Sequence, residues 1–298
     1  MWFNFKEIDI NHGQALIMDI DLARTFLEIV RTGSFMAAAE RLHITQTTVT
    51  ARIHNLEGQL GCRLFVRNRA GARLTSHGER FTTHASQLVR TWEAARRELP
   101  LPEGAEDMLV LGGETSLWNP LLLNWVTRLR EQHPTVATRA EVHDSEALQE
   151  RLERGVLDAA LVHRPAYWPG LQVEQLLEEK LILVRAVRTG EPYVYVDWGA
   201  DFRKQHDVAL PERARSPVSA NFGPLAIQFL LQQGGSGYFR TRVAEPHLRE
   251  GTLERVADAP EFTYPVYLAY ARGKHSPLLD QAFRVLRTVA GESAEWSA

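Results

Sequence analysis

The stretch Thr32-Gly-Ser-Phe-Met-Ala-Ala-Ala-Glu-Arg-Leu-His-Ile-Thr-Gln-Thr-Thr-Val-Thr-Ala-Arg-Ile-His-Asn-Leu-Glu57 constrains this 298-residue chain more than any other segment. Gly33 ends a first helix, in which Ile20, Leu22, Phe26, Ile29 and Val30 recur at helical spacing. Ser34 caps a second, from Met36 to Leu42, whose Ala37 to Ala39 let another helix approach closely. His43 and Ile44 form a turn, and Thr45 caps a third helix from Gln46 to Leu56. Val49, Ile53 and Leu56 take its inward positions, leaving Gln46, Thr47, Thr48, Thr50, Ala51, Arg52 and Asn55 outward. Two helices joined this tightly can lay the second in the major groove of DNA.

The outward residues suit base reading. Gln bonds adenine edges, Arg pairs bidentately with guanine, and Thr offers a hydroxyl and a methyl. Thr-rich helices also occur on ordinary surfaces. After Gly61, Cys62 to Arg67 alternates like a strand, Asn68 to Gly71 reads as a turn, and Ala72 to Leu74 as a return strand. This is a wing, with Arg67, Arg69 and Arg73 placed for phosphate or minor-groove contact. Cys62, between apolar neighbours, reads as a small core residue.

Charge supports the same division. The whole chain is slightly acidic, with 34 basic and 37 acidic residues. Residues 41–73 nevertheless hold six Arg and only one acid, Glu57, whereas residues 99–298 hold 21 basic and 27 acidic residues. A basic patch on an acidic protein is the footprint of one small domain meeting phosphates. A single Cys excludes an internal disulfide framework. No apolar run reaches membrane-span length and no signal peptide is apparent, so a cytoplasmic protein is expected, associated with the nucleoid and with no membrane partner. Residues 1–18 fall outside the pattern and read as an N-terminal extension, with Met18 the expected start.

Thr75 caps a long helix running to about Leu99, in which Phe81, Ala85, Leu88, Trp92, Ala95 and Leu99 alternate at four- and three-residue intervals. That spacing predicts a seam for pairing with a second copy, although the same stripe could pack within its own domain. Pro100-Leu-Pro-Glu-Gly104 then marks a hinge. From Asp107 the pattern alternates strand and helix: strands at 108–111, 136–142 and 159–162, with helices at about 117–131 and 146–154. This run predicts a parallel, helix-covered sheet. A second set follows, with strands at 193–196, 217–220, 236–239 and 263–271 and helices at 224–232 and 278–290. Two α/β lobes with crossings near 187–192 and 262–268 imply a cleft.

The ordered elements Gly-Ser-Phe, Ala-Ala-Ala-Glu-Arg-Leu, Thr-Gln, Leu-Glu-Gly-Gln-Leu-Gly, Arg-Leu-Phe-Val-Arg and Arg-Leu-Thr-Ser-His-Gly-Glu resemble the head of LysR-type transcriptional regulators from Asp19 to about Leu99. Members usually carry Pro where Thr47 stands and Arg where Ala51 stands. Arg154 to Val162 and Gly234-Gly-Ser-Gly237 are similar to landmarks of the family's C-terminal half. Ser116-Leu-Trp118 and Val196 to Phe202 look like its HdfR-like subgroup. The resemblance implies an α/β chain with an α-rich winged helix-turn-helix head, a long linker helix and a two-lobed effector domain like that of periplasmic solute-binding proteins. The expected boundaries are 1–18 extension, 19–75 head, 76–99 linker and dimerisation helix, 100–106 hinge and 107–298 effector domain. Lobe I would take 107–187 and 265–298, and lobe II 188–264. Ser34 and Thr45 join the outward residues as expected DNA contacts.

Carried over by position, Thr115 and Ser116 at a helix start, His163, Arg164, Trp198, Ser219 and Asn221 would line an effector cleft. Helix N-termini and Arg favour negative charge, so a carboxylate or other small anion is the expected effector. His163 reads equally as a structural histidine, and Trp118 and Trp198 read first as packing residues. The implied partners are double-stranded promoter DNA, a second copy in a dimer or dimer of dimers, and RNA polymerase; no cofactor or metal is expected. An enzyme is disfavoured, because the chain lacks His-Glu-x-x-His, Gly-x-Ser-x-Gly, a phosphate loop and a dinucleotide fingerprint, and its eleven His are scattered. A transport solute-binding protein would have no use for the basic head. An effector-independent architectural DNA binder is the remaining alternative.

Overall fold

The computed structural model describes residues 19–68, 71–99, 101–165, 168, 170–273 and 276–292. These residues form two compact units that divide between Trp92 and Glu93. Among them, no helix is long and apolar enough to cross a membrane. The expected extension at 1–18 and the wing residue Arg69 lie outside the described residues, as does the side chain of Arg67.

In the first unit, α1 (Ile20–Thr32) starts at Asp19, whose carboxylate accepts from the Asp21 N–H, and stops at Gly33 in the left-handed region. Ser34 caps α2 (Phe35–Arg41), accepting from the Met36 and Ala37 N–H groups. Thr45 caps α3 (Gln46–Leu60), accepting from the Thr48 N–H at 3.1 Å, and Gly61 closes it. The hairpin of β1 (Phe65–Asn68) and β2 (Gly71–Leu74) is held to α3 by Glu57, whose Oε1 accepts from the Leu64 and Phe65 N–H groups at 2.7 and 3.3 Å. Gly71 is required where β2 begins: its φ is +118° and a Cβ there would sit 2.6 Å from the Gly33 carbonyl oxygen. Phe26, Phe35, Phe65 and Phe81 cluster at ring separations of 5.0 to 5.7 Å around this core.

The long helix α4 (Ser76–Glu98) corrects the expected seam. Phe81, Ala85 and Val89, at steps of four, pack into the core of the first unit. Leu88 and Trp92 stay 42 and 48 % exposed, and Leu99 beyond the helix 85 %. The expected stripe is therefore divided: Phe81 and Ala85 are used within the first unit, where Val89 on the adjoining side completes the inward set, and Leu88 and Trp92 are left uncovered. Ala95 is half-buried.

The second unit begins within α4. Arg97 donates to both carboxylate oxygens of Asp158, at 2.9 and 3.2 Å, and to the Val156 carbonyl at 3.1 Å. The Arg97 and Asp158 side chains are 16 and 3 % exposed, so this bidentate pair spans the hinge expected at 100–106 and ties the end of the linker helix to the sheet. The chain continues as β3 (Asp107–Glu114), α5 (Leu123–Gln132), β4 (Val136–His143), α6 (Ser145–Glu153), β5 (Ala159–His163) and β6 (Leu171–Ala186). Then come β7 (Val194–Val196), α7 (Ala200–Ala209), β8 (Val218–Ala220), α8 (Gly223–Gln233), β9 (Ser236–Arg240), α9 (Thr241–Arg249), β10 (Leu253–Arg255), β11 (Phe262–Ala271) and α10 (Pro277–Glu292).

Strands β4, β3 and β5 are parallel, as the alternation predicts, and β11 adds antiparallel to β5. Leu109, Leu111 and Leu161 face α5 and α10, and Val110, Ala160 and Val162 face α6, so the sheet is buried on both sides. Of the two crossings expected between the lobes, that near 262–268 lies within β11, and the other differs from the expected one. It is made by β6, absent from the sequence reading, which pairs with β11 along most of its length and with β9 and β10 over Leu181–Ala186. Residues 181–186 thus belong with the strands of lobe II, and the boundary expected at 187 falls too late. A register shift between Val266 and Tyr267 lets the ribbon bend.

The ribbon carries a buried ion pair. Arg240 Nε and Nη2 donate to Glu179 Oε2 at 3.0 and 2.5 Å, and its Nη1 donates to the Ser116 carbonyl. Glu179 also accepts from the Arg242 N–H at 3.0 Å. The two side chains are 0 and 3 % exposed. Removing one partner strands a buried charge, so Arg240→Met is expected to destabilise the second unit by about 3–5 kcal/mol in urea titration, with much of the loss recovered by adding Glu179→Leu.

Candidate functional site

On the first unit, α3 presents Gln46, Thr47, Ala51, His54 and Asn55 to solvent. The other candidate residues of the helices and their caps are engaged in the fold. Ser34 and Thr45 spend their hydroxyls on capping, and the Thr48 hydroxyl lies 2.9 Å from that of Thr45. Arg52 is engaged within the head: its Nη2 donates to Asp21 Oδ2 at 2.9 Å and its Nη1 to Thr25 Oγ1 at 3.2 Å, fastening α3 to α1. The helical wheel puts Arg52 at the edge of the outward face, where its long side chain reaches the neighbouring helix. Thr50 is half-buried and lines a hollow of ≈ 430 Å³ with His54, Arg63 and Val66. Arg73 is exposed on β2. His54 and Arg63 were not among the expected contacts, although Arg63 belongs to the basic patch of residues 41–73; the fold places both beside Thr50.

In the second unit a cleft of ≈ 440 Å³ opens between the lobes. It gathers Thr115, Ser116, His163, Arg164, Trp198 and Asn221 of the seven expected residues. Ser219 is not among them: it is exposed on β8, paired with Tyr195 of β7, and its side of the strand faces away. The cleft also takes in Glu114, Asp144, Ser145, Asp197, Asp201 and Tyr264.

His163 is locked at the end of β5. Its Nδ1 donates to the Pro265 carbonyl at 2.7 Å, its backbone N–H donates to Glu114 Oε1 at 3.0 Å, and its ring stacks on Tyr264 at 3.5 Å between centroids. Burial pushes its pKa down to about 4, so near neutrality it is an uncharged acceptor at Nε2. Burial pushes the Glu114 carboxyl up to about 7, against the His163 N–H and Ser145 hydroxyl that favour its charged form. Trp198 donates its indole N–H to the Tyr238 carbonyl at 2.9 Å and meets the Tyr264 ring edge-on. A Cβ on Gly223 would come within 2.6 Å of that indole, so the position requires glycine.

Two supports for an anion site are removed. Thr115 and Ser116 lie in a turn, followed by an irregular Trp118–Leu122 segment with Asn119 extended, and α5 starts only at Leu123. The expected helix N-terminus at 115–116 is therefore not formed. Arg164, at φ +49°, already pairs with Asp201 of the opposite lobe.

Residues 20–79 match a family described as bacterial regulatory helix-turn-helix protein, lysR family, and residues 102–291 match the LysR substrate binding domain. The chain belongs to the LysR family of transcriptional regulators. Similar proteins include the HTH-type transcriptional regulator HdfR of Yersinia enterocolitica, 30% identical over 296 residues, 93% of this chain and 99% of that one. Among solved structures it is similar to full-length LysG of Corynebacterium glutamicum with bound effector Arg, at a TM-score of 0.57 and 18% identity, covering 92% of this chain and 99% of that one. Vibrio fischeri DarR in complex with DNA gives a TM-score of 0.54 at 17% identity, covering 92% of this chain and 99% of that one. This LysR-family chain thus joins a DNA-binding head to an effector-binding domain, and the HdfR-like features of its sequence agree with its relatives.

Two of the perturbed groups in the cleft, Glu114 and His163, act oppositely on stability. Glu114 is raised from 4.5 to about 7, so its stabilising contribution is complete below 4.5 and is lost as pH rises towards 7. His163 is lowered from 6.5 to about 4, so its contribution is present above 6.5 and is lost as pH falls towards 4. Thermal unfolding of Glu114→Gln beside the unchanged protein isolates the first: the variant is expected to gain relative stability from pH 5 to pH 8, and a constant difference would contradict this placement of Glu114.

Proposed function

We propose that this regulator binds promoter DNA site-specifically and is controlled by a small molecule held in the cleft. The observation that carries this reading is one chain combining a doubly capped α2–turn–α3 unit and wing with a two-lobed cleft of ≈ 440 Å³, a size suited to a small ligand. Gln46 and Thr47 read base edges, with Ala51 offering a methyl-sized contact, while Arg73 and the wing residues Arg67 and Arg69 meet phosphates. Ser34, Thr45 and Thr48 hold the reading helix in place, and Thr50 borders the hollow beside it.

The protein acts in the cytoplasm, at the nucleoid, as a homodimer that assembles into a dimer of dimers. Leu88 and Trp92 supply the exposed apolar face of α4 for pairing, with Leu99 just beyond its end. Two linked heads then meet half-sites about one DNA turn apart. Effector binding shifts the lobes, Arg97 and Asp158 carry that shift to the end of α4, and contact with RNA polymerase changes in turn. The chain itself performs no catalysis.

Fluorescence anisotropy with a preferred duplex and a scrambled one tests this division of labour. Gln46→Ala is expected to weaken the preferred duplex by about 1–3 kcal/mol and spare the scrambled one. Arg73→Ala is expected to weaken both alike and to lower the salt slope by about one. Equal loss of discrimination from the two substitutions would contradict the assignment.

A further inference from the structure

The charge lining the cleft is lopsided. Four carboxylates face it, Glu114 and Asp144 from lobe I and Asp197 and Asp201 from lobe II, against one cation, Arg164. Arg164 is consumed by Asp201, and Asp197 pairs with Arg203 at 2.5 Å. On the other wall the balance is not met. Asp144 accepts the Ala147 N–H as the cap of α6, and Glu114 accepts the His163 N–H, but among the described residues neither has an ion pair. His163 adds no charge, and its Nε2 is one more acceptor.

The helix ends around the cleft are also poorly placed for a negative ligand. Asp201 occupies the first turn of α7, and Asp197 accepts the Gly199 N–H just before it. Helix α8 starts with Gly223-Pro224, and the proline lacks one of the N–H groups that an anion would use.

We propose that the effector bound in this cleft carries a cationic nitrogen, a primary ammonium or a guanidinium, received by Glu114 and Asp144 on one wall and facing Asp197 and Asp201 on the other. The assignment rests on the cleft being the effector site. A cation there supplies the missing partner of a half-buried carboxylate, which is costly to leave unpaired. The pairing strengthens as the lobes approach and water is excluded, so the same charge that gives affinity favours closure. Trp198 and Tyr264, 7 and 3 % exposed, form a buried aromatic wall beside the cleft, and Thr115 and Asn221 provide neutral polar contacts. The raised Glu114 carboxyl agrees with this deficit of positive charge, and a bound cation would draw it back down.

The test is a thermal-shift and calorimetric screen on the full chain at fixed ionic strength and pH 8. The probes are arginine, lysine, putrescine and spermidine, with citrulline, glutamate and succinate as neutral and anionic counterparts. At least one cation is expected to raise the melting temperature saturably while citrulline does not. Glu114→Gln is expected to weaken that cation tenfold or more and to raise the melting temperature of the unliganded protein. Saturable stabilisation by an anion or neutral compound alone, lost on substituting Asn221→Ala, would overturn the cationic assignment and keep the cleft as the effector site. No shift from any probe, with Glu114→Gln no more stable than the unchanged protein, would overturn the assignment. If DNA binding were in addition unaffected by every probe, effector control of the cleft would fall with it.

Discussion

The buried pair of Glu179 and Arg240 is the interaction on which the regulatory half depends. Glu179 sits on the ribbon that joins the lobes, Arg240 ends the first strand to return from lobe II, and the third arm of the guanidinium holds the Ser116 carbonyl at the cleft wall. Taking two charges out of water is costly, and the arrangement is sustained only because every arm of the guanidinium finds an acceptor. One side chain therefore fixes the crossing strands, the second lobe and the cleft wall together. A cleft held this way can change by bending of its two-stranded ribbon, while its walls keep their shape.

The head is ordered by a different economy of small terms. Asp19, Ser34 and Thr45 each satisfy N–H groups that helix starts leave unpaired, and such caps contribute about 0.5–2 kcal/mol apiece. Glu57 then orients the wing from the last turns of α3, and Arg52 ties α3 to α1. Gln46, Thr47 and Ala51, near the start of α3, are among the side chains left outward while their neighbours are committed to the fold. Rigid placement of a few readers is what base recognition requires, since a bidentate contact tolerates little misalignment.

Much of this was legible because local rules sufficed. Caps, left-handed glycines and the 3.6-residue period mark α1 to α3, and alternating apolar runs mark β3, β4 and β5. Strand β6 was not legible. Its Glu174, Glu178, Glu179 and Lys180 interrupt the apolar pattern, the register shift opposite Val266 breaks the two-residue period, and Glu179 is buried only because a residue 61 positions away pairs with it. The α4 stripe was legible only in part, because spacing along the helix does not say that the head's own core takes Phe81 and Ala85, with Val89, and leaves Leu88 and Trp92 uncovered. In the cleft, six of the seven expected positions converge, yet the chemistry differs from expectation because Arg164 finds Asp201 and four carboxylates arrive from separate elements. Pairing across lobes is tertiary information that spacing along the chain does not carry.

The most direct test of the account as a whole is selection from fragmented genomic DNA of the source organism by the full-length protein, at two salt concentrations. The account predicts enrichment of a few fragments that share a short pseudo-palindromic element, its half-sites about one helical turn apart, and retained at the higher salt. Uniform recovery of fragments that vanishes at the higher salt would contradict site-specific regulation and leave a purely electrostatic, architectural binder in its place.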